Sequence, residues 1–328
     1  MTTKQILRLA LGLLLAILFI WLIASQINLD DLKRAFVGTT TSWLVAGLIA
    51  FTVGYICRIE RWRLMLNQDN SSLKWSQCAG PLLGSFAANN VLPFRAGDVL
   101  RAFAFNGRLG VSSGVVVATL FVERLLDLLM VLVLLGMAVA IFGIDVSGFA
   151  GVGSAALIAI AIGILLLLLF PQLFAPIVIT SGKFVARVAP KLGGKLLDEI
   201  NKSLVMLVHL AKGSTMIRLV AWSIAAWMAE GCVFWFAALA LSSITTPTAG
   251  WLALPVGTLA TLIPSTPGYI GTFDYFTVRA MSALGNNLVA STAYALLVHA
   301  LLWLPPTLIG GIYLLFHPTK KQNKSKVL

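Results

Sequence analysis

An all-α polytopic integral membrane protein is the fold class this 328-residue sequence predicts, and three observations predict it. Hydrophobic residues make up 59% of the chain and charged ones 11%, too apolar and too poor in charge for a soluble domain of this length. Apolar runs long enough to cross a bilayer, about 20 residues each, recur along it. Two of these runs are interrupted in the same way, at LPFRAGDVLR (92–101) and IPSTPGYIGTFD (263–274). Each interruption carries a Pro followed four positions later by a Gly: Pro93 and Gly97, Pro264 and Gly268. Backbone that cannot stay helical is tolerated at membrane depth only inside protein or beside a wet cavity. Matched interruptions in two halves of a chain mark a transport site.

In chain order, Lys4 and Arg8 precede an apolar run that gives a first span over 6–25. No small-x-small cleavage pattern closes it, so it reads as a retained helix rather than a removed signal. Asp30, Asp31, Lys33 and Arg34 then form an outside loop before a span over 43–66. Residues 75–92 are shorter and rich in Gly, Ala, Ser and Asn, which suits a half-length, re-entrant helix ending at Pro93. Residues 113–143 make a long apolar helix carrying Glu123, Arg124 and Asp127, and 151–171 another span. Between 172 and 218, Lys and Arg recur among apolar positions spaced three to four apart, the pattern of an amphipathic helix at the cytoplasmic interface. Residues 219–243, 249–263 and 287–316 are apolar again, the middle one short and leading into the second interruption. The second half thus repeats the order span, short helix, break, span, giving seven or eight crossings or half-crossings. This predicts a single transmembrane domain with halves 1–171 and 219–316, the interfacial segment 172–218 between them and a basic tail 317–328.

Net charge is +12. In a soluble protein that would raise nucleic acid as a partner; here its placement excludes one. The basic residues concentrate at Lys4 and Arg8, at Arg58, Arg61, Arg63 and Lys74, around the first break, through 183–218 and in the tail. If these share a face, the bias of basic loops toward the cytoplasm puts both termini inside, with some attraction to anionic headgroups. Cys57, Cys78 and Cys232 lie far apart without a Cys-x-x-Cys. They suggest neither a disulfide framework nor a zinc site, and no metal or cofactor is expected.

Charge inside an apolar helix costs at least a few kcal/mol and demands a partner or a function. Glu123 and Asp127 are four apart and share a helix face, so a cation must separate them; Arg95 and Arg101 are the candidates. An ion-pair network that only holds the broken helix in place is the alternative. In the first break Pro93 stops the helix and Gly97 relieves the backbone. A helix restarting near Asp98 offers N–H groups to a phosphate or carboxylate, with Arg95 adding a bidentate fork and Asn89 and Asn90 adding neutral hydrogen bonds. The second break, with Pro264, Thr266, Pro267, Gly268 and Gly271, lacks a matching Arg; Asp274 there faces Arg279 as a local partner. Glu230 and His299 each stand alone in an apolar span. Glu230 is either a proton carrier or an interhelical hydrogen-bonding residue.

Three blocks, NNVLPFRAGDVLR (89–101), ERLLD (123–127) and PSTPGYIG (264–271), resemble the signature of the lysylphosphatidylglycerol synthase transmembrane-region family. That family includes the membrane half of the multiple peptide resistance factor, a lipid flippase. The resemblance extends over nearly the whole chain, and Asn90, Pro93, Arg95, Gly97, Asp98, Arg101, Glu123, Arg124, Asp127, Pro264, Pro267, Gly268 and Gly271 match its pattern. It implies a bacterial or archaeal plasma-membrane protein that moves lipids between leaflets. Aminoacyl-transferring members carry a large soluble C-terminal domain, whereas this sequence ends after a short basic tail, so lysyl transfer is not implied. The expectation is therefore a lipid translocase and not an enzyme. Anionic lipids are its ligands, held by Asn89, Asn90, Arg95, Asp98, Arg101, Glu123, Arg124, Asp127, Thr266, Gly268 and Asp274. Rival readings are a scaffold that recruits a cytoplasmic enzyme through 172–218, with a homo-oligomer as a further partner arrangement, and an intramembrane enzyme using Glu123 and Asp127 on lipid headgroups.

Overall fold

The computed structural model describes residues 21, 28–92, 95–143, 154–188, 190–263 and 266–317. The expected first span over 6–25, the prolines Pro93 and Pro264 and the basic tail lie outside the described residues, apart from Trp21 and His317. What is described is entirely helical: α1 Leu29–Ala35, α2 Thr41–Leu66, α3 Trp75–Val91, α4 Ala96–Phe103, α5 Asn106–Leu109, α6 Ser113–Phe142, α7 Ser154–Leu169, α8 Ala175–Val188, α9 Pro190–Leu210, α10 Gly213–Ala240, α11 Gly250–Ala260, α12 Thr272–Ala283 and α13 Leu288–Phe316. Among them α2, α6, α10 and α13 are long and apolar enough to cross a membrane. α7 is described as 16 residues; the first span expected from sequence, over 6–25, is not among the described residues that supply these four candidates.

Both interruptions are real breaks in helix. α3 ends at Val91 with Leu92 extended, and the chain resumes at Arg95 as the left-handed residue before α4. α11 ends at Ala260, and Pro267–Tyr269 form a single 3₁₀ turn before α12. Two helices that hydropathy did not reveal, α4 and α12, follow the breaks. α4 is only eight residues, strongly two-faced, and α12 is mixed in character. The repeated order of long helix, short helix, break and helix therefore holds in both halves.

The halves interlock rather than sit side by side. α2 packs along α10, α3 along α13, and α6 against α11, so each contact joins an element of the first half to one of the second. Small residues permit the approach: the Cβ that an alanine would add at Gly310 of α13 meets the backbone carbonyl of Leu83 in α3. In lipid, where the hydrophobic effect does not drive helices together, such close backbone packing supplies the association. α3 lies on α13, and the turn at Pro267–Tyr269 touches α3, so the two breaks meet.

The basic segment is a pair of helices rather than one. α8 and α9 pack on each other, and α9 is fastened to the start of α6: the Glu199 carboxylate accepts the Gly114 N–H, and Ser203 Oγ donates to the Gly114 carbonyl at 2.8 Å. Within α9, Lys202 is matched by Asp198 at 2.6 Å and Glu199 at 3.2 Å. All three cysteines are free thiols, Cys57 and Cys78 buried and Cys232 partly so.

Candidate functional site

The interior charges divide into a sealed network and an open cavity. The network begins at α4, where the Arg101 guanidinium forks onto Glu123 of α6, at 2.8 and 3.2 Å. Arg101 is fully buried and also lies over the Trp62 ring, 5.1 Å from its centroid. One turn along α6, Asp127 accepts from Arg61 of α2 at 2.8 Å and from the Trp227 indole of α10 at 3.1 Å. Arg124 pairs with both oxygens of Asp98 at 3.0 Å and approaches Glu123 at 4.0 Å. Asn89 Nδ2 donates to Asp98 at 3.0 Å. These contacts join five helices, α2, α3, α4, α6 and α10, where helix is interrupted, and losing either partner of an ion pair would strand a charge in the interior.

These pairings correct several expectations. No one cation sits between Glu123 and Asp127: Arg101 pairs with Glu123, Arg61 with Asp127, and Arg95 touches neither carboxylate. Arg61, one of the basic residues expected to set topology, is buried within α2, where Asp127 of α6 and Ser223 of α10 take its guanidinium. The start of α4 is not an open anion site: Asp98 already brings a carboxylate to its first turn, and the Asp98 N–H donates to Asn89 Oδ1 at 3.3 Å. Glu230 is not alone, since it is ion-paired with Arg58 of α2. Asp274 does not use Arg279, which is exposed. Its Oδ2 accepts the Gly271 N–H at 2.8 Å, capping α12, and its Oδ1 lies 2.7 Å from His299 Nδ1. Thr266 is half-buried and donates to the Ile270 carbonyl at 3.1 Å, a bond that shapes the turn. Among the described residues, Asp98, Arg101, Glu123 and Asp127 stand behind the cavity rather than in it.

The cavity, of about 220 Å³, opens between the two breaks. Of the residues anticipated from sequence, Asn89, Asn90, Arg95, Arg124, Glu230 and Gly268 line it. Sequence reasoning did not place Tyr55, Arg58, Tyr269, His299 or Trp303 there. Phe51, Phe86, Phe273 and Leu302 complete an aromatic and aliphatic wall. Asn90 ties the first break to α13 by donating to Thr307 Oγ1 at 2.8 Å. Gly268 must be glycine on two counts: its φ is +72°, and a Cβ would lie 2.6 Å from the Trp303 indole nitrogen.

Across this cavity Arg95 Nε donates to the Tyr269 hydroxyl at 3.1 Å. Among the described residues these two are the non-glycine ones with left-handed backbone, φ +51° and +60°. Each such conformation costs of order 1–3 kcal/mol and persists where surrounding structure over-determines it, which happens at ligand sites. One strained residue comes from each break, and they join each other. Among the described residues no carboxylate lies within ion-pair distance of Arg95, and its terminal fork takes no partner.

Long apolar helices, breaks at their meeting point and a basic cavity among buried ion pairs define a multi-pass helical membrane protein with a polar site inside its bundle. The model of the family described as "Lysylphosphatidylglycerol synthase TM region" matches residues 9–310, and the chain belongs to that family. Among curated proteins, it is 26% identical over 334 residues to the glycosyltransferase AglD of Haloferax volcanii, a match covering 92% of this chain and 53% of that protein. It is 25% identical over 210 residues to UPF0104 membrane protein MJ1078 of Methanocaldococcus jannaschii, covering 64% of this chain and 84% of that one. The chain thus spans about half the length of the first of these relatives. This likeness overturns the expectation of a non-enzyme: a relative aligned over most of the chain carries the name of an enzyme.

Proposed function

We propose that the cavity between the two breaks holds the anionic headgroup of a membrane lipid and that the protein carries that headgroup across the plasma membrane, with both chain termini on the cytoplasmic side. The unmatched Arg95 carries this reading. Counted over the network and the cavity, Arg58, Arg61, Arg95, Arg101 and Arg124 face Asp98, Glu123, Asp127 and Glu230, and the arginine left over is the one whose fork opens into the cavity. A guanidinium in a partly desolvated site binds a phosphate in bidentate fashion. Asn89 and Asn90 flank it as neutral hydrogen-bonding groups. The size agrees: 220 Å³ is below the roughly 300–1,000 Å³ of pockets that enclose whole ligands, so the headgroup enters while the acyl chains stay in the bilayer. Helices broken at the interface of two repeated halves are the setting in which one half rocks against the other around a fixed site.

Arg95→Ala in proteoliposomes containing a fluorescent anionic lipid tests this. A charge-assisted hydrogen bond contributes about 1.5–3 kcal/mol, so leaflet exchange is expected to slow by about 10- to 100-fold. A folded variant exchanging lipid at the wild-type rate would remove Arg95 from the site.

The likeness to a named glycosyltransferase supports a second reading, in which the same cavity presents a lipid-linked molecule to group-transfer chemistry. Turnover of such a lipid by the purified protein supports it.

A further inference from the structure

His299 is placed between two acceptors. Its Nδ1 lies 2.7 Å from Asp274 Oδ1 and its Nε2 3.0 Å from the Gly268 carbonyl oxygen. A carbonyl can only accept, and Asp274 Oδ2 is already occupied by the Gly271 N–H. Both contacts are hydrogen bonds only when two hydrogens lie along them: an imidazolium beside a carboxylate, or a neutral imidazole beside a carboxylic acid. Either way the pair holds one exchangeable proton and is neutral overall. Remove that proton and the pair carries one negative charge, with one ring nitrogen facing an acceptor.

The position makes that charge consequential. His299 lines the cavity, and its two partners, Gly268 and Asp274, are the turn of the second break and the first turn of α12. The Phe273 ring meets the imidazole edge-on at 5.2 Å. Titratable and charged groups facing the cavity with it are Tyr55 and Arg58 from α2, Glu230 from α10, Arg124 from α6, Arg95 before α4 and Tyr269 from the second break. Arg58 and Arg124 are matched by Glu230 and Asp98. The surplus of one positive charge therefore exists only while the Asp274–His299 pair keeps its proton.

We propose that the Asp274–His299 pair is a proton-binding site linked to headgroup binding, so that proton and anion occupy the cavity together. The inference rests on the anionic-headgroup reading of the same cavity. The proton comes from water reached through the cavity and returns to it. When it leaves, the pair's negative charge competes with the headgroup for Arg95, and the imidazole keeps one hydrogen for its two acceptors, which weakens the tie between α13 and the second break. Linkage is reciprocal: the anion strengthens proton binding by the factor by which the proton strengthens anion binding.

The test is the affinity of the purified protein for a short-chain phosphatidylglycerol, measured by calorimetry from about pH 5 to about pH 9, the range that spans imidazole titration. Affinity is expected to fall with rising pH by about 10-fold, within the usual range of coupling. His299→Gln, which cannot bind the proton, should bind with no such slope. Because that variant also removes contacts to the break, the wild-type protein is titrated in two buffers of different ionisation enthalpy, where a coupling of about 10-fold corresponds to uptake of about half a proton per lipid at the midpoint. A wild-type affinity that is intact but independent of pH, proton uptake near zero, or a His299→Gln protein with the wild-type slope each overturns the proton site while leaving the headgroup site standing. No binding by the wild type at any pH overturns both.

Discussion

Arg101→Met is expected to destabilise the folded protein by about 3–5 kcal/mol, the usual cost of removing one partner from a buried ion pair. Arg101 is fully buried, its partner Glu123 is 3% exposed, and both lie where α4 docks on α6. With the guanidinium gone, Glu123 keeps only Arg124, at 4.0 Å and already committed to Asp98. A carboxylate left like that in a low-dielectric interior has no water to turn to. The change should show as a lower midpoint in thermal unfolding in detergent. Arg101→Met combined with Glu123→Leu should recover most of the loss, because replacing both members of a buried pair by apolar groups is often close to neutral. A single variant as stable as the wild type would mean that Glu123 finds water or another donor, and the sealed network would have to be redrawn.

Gly97→Val is the second large effect. A Cβ at Gly97 would run into the Ser85 backbone carbonyl and lie 2.8 Å from Asn89 Oδ1. Ser85 sits within α3, so the obstacle is helix backbone rather than a side chain that can swing aside. The substitution must push α4 away from α3. Overpacking of this kind costs typically about 1–3 kcal/mol, but the functional loss should exceed what stability alone explains. α4 carries Asp98 and Arg101, and Arg95 is the residue from which it starts. Displacing α4 therefore shifts the cation that faces the cavity while leaving the four long helices able to insert. The expected outcome is protein recovered from membranes in near-normal amount with lipid exchange reduced at least about 10-fold, an effect of roughly 1.4 kcal/mol at the site. Wild-type exchange in Gly97→Val would show that α4 does not position Arg95.

The long helices and the breaks were legible in the sequence for physical reasons. Hydropathy over about 20 residues reports what lies in lipid, and Pro with Gly reports where helix cannot continue. The spans expected over 43–66, 113–143 and 287–316 correspond closely to α2, α6 and α13, and 75–92 to α3. What periodicity reports is which face a residue occupies, not what stands opposite. Arg58 and Glu230 are 172 positions apart. Each alone read as a topology charge or an isolated acid, although a carboxylate alone in one span is itself a signal that a cation waits in another. Asp274 looked toward Arg279 because the two are near in sequence, yet a capping carboxylate at the start of α12 points back over its own first turn, where α13 brings His299. Arg61 reads as one of a basic cluster that sets topology, whereas its guanidinium is buried against Asp127 of α6 and Ser223 of α10, partners that no local pattern records. Arg95 was identified correctly as a cation of the first break, but its union with Tyr269 depends on the two breaks meeting, which no local pattern records.

A high-resolution map of the protein in nanodiscs containing an anionic phospholipid examines the central claim most directly. The account predicts a phosphate between the breaks, its oxygens about 3 Å from the Arg95 fork, beside Asn90 and Gly268, with acyl chains leaving toward the bilayer. Lipid phosphates confined to the outer surface of the bundle, with Arg95 paired to a carboxylate of the protein and the cavity closed, would contradict it.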